Sequence, residues 1–324
     1  MSSNYLASLL GGLTPTRELG VLSSPQAYPH QWIAVRPRFT QFNSELALTP
    51  LQRTDGLTKS GGVVGCLNRH YYRSDSRTDH SLLIGSWGKN TAGRPPRDVD
   101  LYFVLPVDVY HRFDGYICNK QSALLQEVKG VLAETYPDTD MSGDGQVVLV
   151  NFGSYNVEVV PAFTLTNGNY WICDTGKGGR YKEANPKGEA SHIEALDRAT
   201  NRNLRPLIRM IKAWQDYCSV PIKSFQLELV AAEFLAQCPW RIYDYFWFDW
   251  ISRDFFAYLY WKANTWITVP ATGESIFLGD EWQSRAESAY SRAVKACDNE
   301  RDNYVELAGE EWQKIFGQQI PRVI

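Results

Sequence analysis

Two carboxylates, Asp98 and Asp100, open an apolar run in which Val99, Leu101, Phe103 and Leu105 alternate with Asp100, Tyr102 and Val104. A period of two marks a strand. Both acids then project from the face opposite the apolar one, with Cα atoms roughly 6.5–7 Å apart at ~3.3 Å rise per residue. Like charges that close repel unless a cation stands between them, and Asp oxygens suit a hard divalent ion such as Mg²⁺. A lone Asp-x-Asp more often ends a strand in solvent. The Gly85-Ser86 pair upstream shifts that balance. Glycine lets the backbone approach a ligand, and Ser86 offers a hydroxyl and an N–H to a phosphate oxygen. The pattern GxxxxGK[ST] is absent, so this is no P-loop.

Gly85-Ser86, a basic turn and Asp98-x-Asp100 on a strand resemble the signature of the polymerase-β-like nucleotidyltransferases. Among these the chain looks like the cGAS/DncV-like nucleotidyltransferases of bacterial antiphage (CBASS) systems, and is similar to the oligoadenylate synthases. Val157–Phe163, VEVVPAF, resembles the segment that supplies the family's third metal-binding acid, with Glu158 where Asp is usual. LIRMIKAW, residues 207–214, looks like the helix whose Lys reaches the donor triphosphate. That resemblance gives Lys212 the role, sets Arg209 beside it, and makes Ser224 a further phosphate contact. Glu311–Gly317 resembles the family's C-terminus, so the similarity runs from about Gly85 to the end of the chain.

The resemblance implies an α/β (α+β) fold: a polymerase-β-like core with a mixed sheet, a C-terminal helical lobe, and the active site between them. It implies two Mg²⁺ ions, with Mn²⁺ as a substitute, held by Asp98, Asp100 and Glu158. ATP and GTP are the favoured substrates. The favoured product is a purine cyclic dinucleotide such as cyclic GMP-AMP, a second messenger that accessory and effector proteins would serve. Linear oligonucleotide synthesis, nucleotidyl transfer to RNA, protein or a small molecule, and an inactive nucleotide-binding regulator are the competing readings.

Several elements must position these residues. Trp32, Ile33, Val35, Phe39, Phe42 and Leu46 fall at helical spacing, and Thr49-Pro50-Leu51-Gln52 is a capping box with Pro at the first helical position. Gly61-Gly62 sits awkwardly in the helix that follows. Leu124, Leu125, Val128, Val131 and Leu132 share one helical face. VVLV and NVEVVP read as paired strands across residues 151–154, with Glu158 facing away from Val157 and Val159. The glycine-rich stretch 166–190 reads as a lobe boundary or substrate loop. Ser191-His192-Ile193-Glu194 is a second capping box. Leu204, Leu207, Ile208, Ile211 and Trp214 continue a helical stripe, which Pro206 should break near Arg205. Arg202, Arg205, Arg209 and Lys212 form a basic stripe on it; for the first two a solvated face is the better reading. The aromatic stretch 225–267 reads mostly as core.

With 324 residues, two parts are expected: 1–190 holding N-terminal helices and the catalytic core, and 191–324 holding the helical lobe. A net charge of −3 disfavours a long nucleic acid as partner. Six scattered cysteines without a CxxC pair fit a reduced, cytoplasmic setting. The apolar stretch Tyr5–Leu13 lacks a basic flank, so no secretory signal is expected, nor any membrane partner.

Overall fold

A computed structural model describes residues 31–176 and 179–324. The expectations for Tyr5–Leu13 and for residues 1–26 lie outside the described residues. The chain divides into two compact units, one of 48–192 with 270–272, the other of the described residues before Leu48 with 193–269 and 273–324.

The first unit is built on a seven-stranded mixed sheet: β1 (Ser81–Leu83), β2 (Val99–Val104), β3 (Met141–Asp144), β4 (Val147–Asn151), β5 (Asn156–Thr164), β6 (Tyr170–Asp174) and β7 (Arg180–Ala184). The order is β1-β2-β5-β4-β3, with β6 also on β5 and β7 on β6. Only the central β2–β5 pair is parallel, and it sets Val99 against Val157 and Asp100 against Glu158. Residues 166–190, expected as a lobe boundary or a substrate loop, hold the β6–β7 hairpin, and the unit's main segment ends just after them at His192.

One face of this sheet carries Val99, Leu101, Phe103, Val157 and Val159. They share a core with Val63 and Leu67 of a helix at Pro50–Tyr72 and with Leu124, Val128 and Leu132 of another at Lys120–Thr135. The Thr49–Gln52 capping box forms with both bonds present. That helix runs straight through Gly61-Gly62, because packing overrides the local propensity penalty: a Cβ on Gly62 would sit 2.9 Å from the Tyr136 hydroxyl. The other face holds a smaller apolar group of Tyr102, Val160, Ala162, Tyr170 and Ile172. Asp100 and Glu158 lie two residues before Tyr102 and Val160, and so on this second face.

The second unit is helical, and its core is aromatic. It includes Phe39, Phe42, Trp214, Phe234, Phe248, Phe255, Phe256, Trp282, Trp312 and Phe316, all essentially inaccessible. The aromatic stretch is thus core, as its composition suggests, apart from Trp261 and Trp266, which are exposed.

The helix at Val35–Leu46 belongs to this unit and not with residues up to 190. The reason is its contacts. Phe39 and Phe42 pack on Trp312 and Phe316. The fully buried Arg38 bonds Glu300 at 2.7 Å, the Val305 carbonyl at 2.7 Å and the Arg322 carbonyl at 3.0 Å, as well as the Pro321 carbonyl.

Two expected boundaries move. The helix containing Ser191 spans Pro186–Ala199. Asn185 starts it, its side chain accepting from Gly188 N–H at 2.8 Å, with Pro186 at the first position. That start satisfies an orphan donor where Pro costs nothing, and it displaces the Ser191 box. The stripe through Pro206 splits into separate helices, the next spanning Leu204–Tyr217. Pro206 falls in its first turn, where no N–H is needed.

Candidate active site

The site face of the sheet gathers Asp98, Asp100 and Glu158 at one end. The register opposes Asp100 and Glu158 on parallel neighbours. Asp98 precedes β2, and its carboxylate accepts a bond from the Asn156 side chain at 2.8 Å. Asp100 and Glu158 lie close enough that the charge of Glu158 disfavours ionisation of Asp100. Burial chiefly, then the neighbouring Glu158 and Asp98, push the Asp100 carboxyl up to about 7. Burial and Asp98 also raise Glu158, against the lowering effect of its bond to Asp100.

Gly85 is fitted to this arrangement. It follows β1 with φ +55°, and a Cβ there would lie 2.2 Å from Asp100 Oδ2. Any side chain would be strained in backbone and would drive the carboxylate away. The Ile84 N–H to Asp100 carbonyl bond, 2.9 Å, locks the turn to the strand. Ser86 comes next, within the short helical turn Gly85–Gly88, and its carbonyl accepts from Thr91 and Ala92 N–H.

Lys89 supplies positive charge near the carboxylates. It is only 5 % exposed, and its charge opposes the rise at Asp100. Its ammonium lies 3.9 Å from Glu189, on the first turn of the Pro186–Ala199 helix. Sequence reading missed Lys89 because a lysine in a polar turn reads as solvated. Asn156 was missed too, although a signal for it existed. It stands two residues before Glu158, and period two puts both on one face.

The other expected site residues lie in the helical unit. Lys212 is ion-paired with the buried Glu228. The Ser224 hydroxyl donates to Gln215 Oε1 at 2.8 Å. Gln215 is three residues beyond Lys212 and hence on the same helical side. Arg209 is half-buried, and the loss of water around it holds its guanidinium below the usual range. Arg202 stands before the helix in a left-handed turn and so lies outside the stripe; Arg205, seven residues before Lys212, shares its side of the helix, but it is mostly covered and paired with Glu194 and Asp197 and so is no solvated charge.

Among the described residues, no three His, Cys, Asp or Glu side chains are gathered closely enough to hold a metal ion as they stand. Asp98 is engaged by Asn156, while Asp100 and Glu158 hold each other. The donor chemistry nonetheless fits a hard divalent cation. All three groups are carboxylates, and the repulsion that raises two of them is what a cation would relieve.

The mixed sheet with acids on its central parallel pair, preceded by a Gly-Ser turn, defines a nucleotidyltransferase of the polymerase-β-like class. Residues 33–196, just over half of the chain, match the family model of the Second Messenger Oligonucleotide or Dinucleotide Synthetase domain, and the chain belongs to that family. Within the class its fold is that of the cGAS/DncV-like nucleotidyltransferases.

The chain is similar to the solved E. coli MS115-1 CdnC with ATP at 19% identity and TM-score 0.64, covering 88% of this chain and 98% of that one. It is similar to apo Vibrio cholerae DncV at 13% identity and TM-score 0.67, covering 88% and 96%. A third similar structure is the V. cholerae DncV cyclic AMP-GMP synthase with the linear intermediate 5′ pppA(3′,5′)pG, at 13% identity and TM-score 0.65, covering 89% of this chain and 97% of that one. No curated protein matches the sequence. No described helix is long and apolar enough to cross a membrane.

Proposed function

We propose that this protein joins nucleoside triphosphates, ATP and GTP foremost, into a purine cyclic dinucleotide such as cyclic GMP-AMP, and that this product signals in antiphage defence. The observation that carries the reading is the pair Asp100 and Glu158, side by side on parallel strands with Asp98 adjacent and Gly85 leaving room for them. Family membership and the fold shared with a cyclic AMP-GMP synthase support it. A CdnC structure in complex with a HORMA protein supports accessory partners as well.

In the proposed reaction a ribose hydroxyl attacks the α-phosphorus of a bound triphosphate in line, and pyrophosphate leaves. Asp98, Asp100 and Glu158 would hold divalent cations, Mg²⁺ or Mn²⁺, which when bound supply positive charge to the attacking and leaving oxygens. The chain itself provides the carboxylates and, beside them, Lys89 with its partner Glu189. Glu158 favours loss of the hydroxyl proton. Ser86 and Lys212, with Arg209 and Ser224 beside it, are assigned to the triphosphate through the likeness of their segments to the family's.

The chain has one Gly-Ser/Asp-x-Asp set. A linear intermediate must therefore present its own triphosphate to the same carboxylates for the second linkage. Labelled ATP and GTP, incubated with Mg²⁺ and then phosphatase, test this by mass spectrometry of the small products. A phosphatase-resistant cyclic product is expected, with both linkages lost together in Asp100→Asn. A phosphatase-sensitive oligomer, or label that appears only when RNA or protein is added, would replace the cyclase reading with a linear or macromolecular one.

A further inference from the structure

The helical unit holds a basic cleft that the nucleotidyl-transfer chemistry does not use. Its walls come from three helices: Leu204–Tyr217 with the Cys218 that ends it, Gln283–Arg301, and Val305–Phe316. Arg285 and Arg292 are seven residues apart, close to two helical turns, so they point the same way from one helix. Lys314 approaches from the next helix, and Trp214 and Ile315 make an apolar floor. The space amounts to about 150 Å³.

The charges do not cancel. Arg292 and Lys314 share one carboxylate, Glu311, at 3.4 and 2.6 Å. The Arg285 guanidinium has no ion-pair partner among the described residues. Three cations thus surround the space against a single acid. The Cys218 thiol, which also lines the cleft, is raised by burial while Arg285 and Arg292 both pull it down, so both guanidiniums lie near it.

We propose that this cleft binds a phosphate group, as the free ion or as a terminal monoester. Guanidinium forks match tetrahedral oxyanions. At roughly 30 Å³ per liquid water, the volume equals about five waters. That accommodates a phosphoryl group but not a nucleoside, whose remainder would extend into solvent. A bound phosphate would tie the last turn of the helix carrying Lys212 to the two C-terminal helices. The site stands on its own lining residues and is independent of which product the enzyme makes.

Thermal unfolding with inorganic phosphate, with AMP, and with chloride at matched ionic strength tests the site. A saturable rise in Tm with phosphate or AMP, absent with chloride, is expected. A stronger response to AMP would point to a monoester, an equal or weaker one to the free ion. Arg285→Gln should weaken the response at least tenfold in apparent affinity, and Arg285→Gln/Arg292→Gln should abolish it. Lys212→Ala, in which the assigned triphosphate contact is lost, should retain it. The unpaired Arg285 gives a single variant that folds normally, checked by circular dichroism. A response shared by chloride, or one that survives the double variant, would overturn the proposal.

Discussion

Glu194 and Asp100 are both acids surrounded by charge, and their environments push them in opposite directions. In the helical unit Glu194 meets Arg198, Arg202 and Arg205, and these guanidiniums hold its carboxyl down to about 2. On the sheet, Asp100 meets Glu158 and Asp98, Lys89 opposes them, and burial with these acids lifts it to about 7. The first cluster is already neutralised by the protein. The second is short of positive charge, and that deficit marks a place where a cation from solution belongs. A raised value alone does not make the distinction. Glu300 also reaches about 7, yet Arg38 bonds it directly, and burial accounts for the rise.

The largest expected effect would break this contrast outright. Asp98→Asn, Asp100→Asn and Glu158→Gln should each reduce turnover by several orders of magnitude with circular dichroism unchanged, since each removes a charge from the proposed cation clamp. Near-normal single-turnover rates in Glu158→Gln would take Glu158 out of the set. Lys212→Ala should act next, raising the apparent KM for nucleotides roughly tenfold and lowering kcat as well, because charge on the phosphates shifts during transfer. Unchanged values of both would leave Lys212 as the partner of Glu228 only.

Lys89→Met sharpens the comparison from the other side. Removing the buried cation that opposes the rise at Asp100, and with it the contact to the half-buried Glu189, should cost about 1 kcal/mol in denaturant unfolding. Glu189→Gln in the same chain should recover part of that loss if the two side chains act as a pair.

The smallest effects lie in the pH dependence of stability, where the two clusters have opposite signs. Asp100 has a folded value near 7 against an ordinary 3.8. Its stabilising contribution is full below the ordinary value and is lost as pH rises through about 7. Without divalent cations, Tm should therefore fall from about pH 4 to about pH 7 and level off above it, and Asp100→Asn should flatten that slope and raise Tm at pH 8. Glu194 is depressed from 4.5 to about 2, so its contribution is present above the ordinary value and lost as pH falls through about 2. Glu194→Gln should lower Tm slightly at pH 7 and not at pH 2; the effect is small because the group is exposed. A Tm that does not respond to pH between about 4 and about 7 in the unsubstituted protein would remove the electrostatic argument for the cation.

The local pattern of the chain determined much of this protein by itself. Period two in residues 98–105 and 156–160 gave the strands and the common face of their acids, because side-chain direction along a strand is a local property. The Gly-Ser pair, the Thr49 capping box and the aromatic run were legible for the same reason: turn, cap and burial preferences act within a few residues. Tertiary structure alone decided the rest. It placed β5 parallel to β2 across a long crossover, so that Glu158 meets Asp100 and not another residue. It drew the helix at Val35–Leu46 to the C-terminal unit through Arg38 and two phenylalanines, against the boundary its place in the chain suggests. It also turned Lys89 from a residue that reads as solvated into a buried counter-charge. Pairing register and burial depend on residues far away in sequence, and no window of neighbours contains that information.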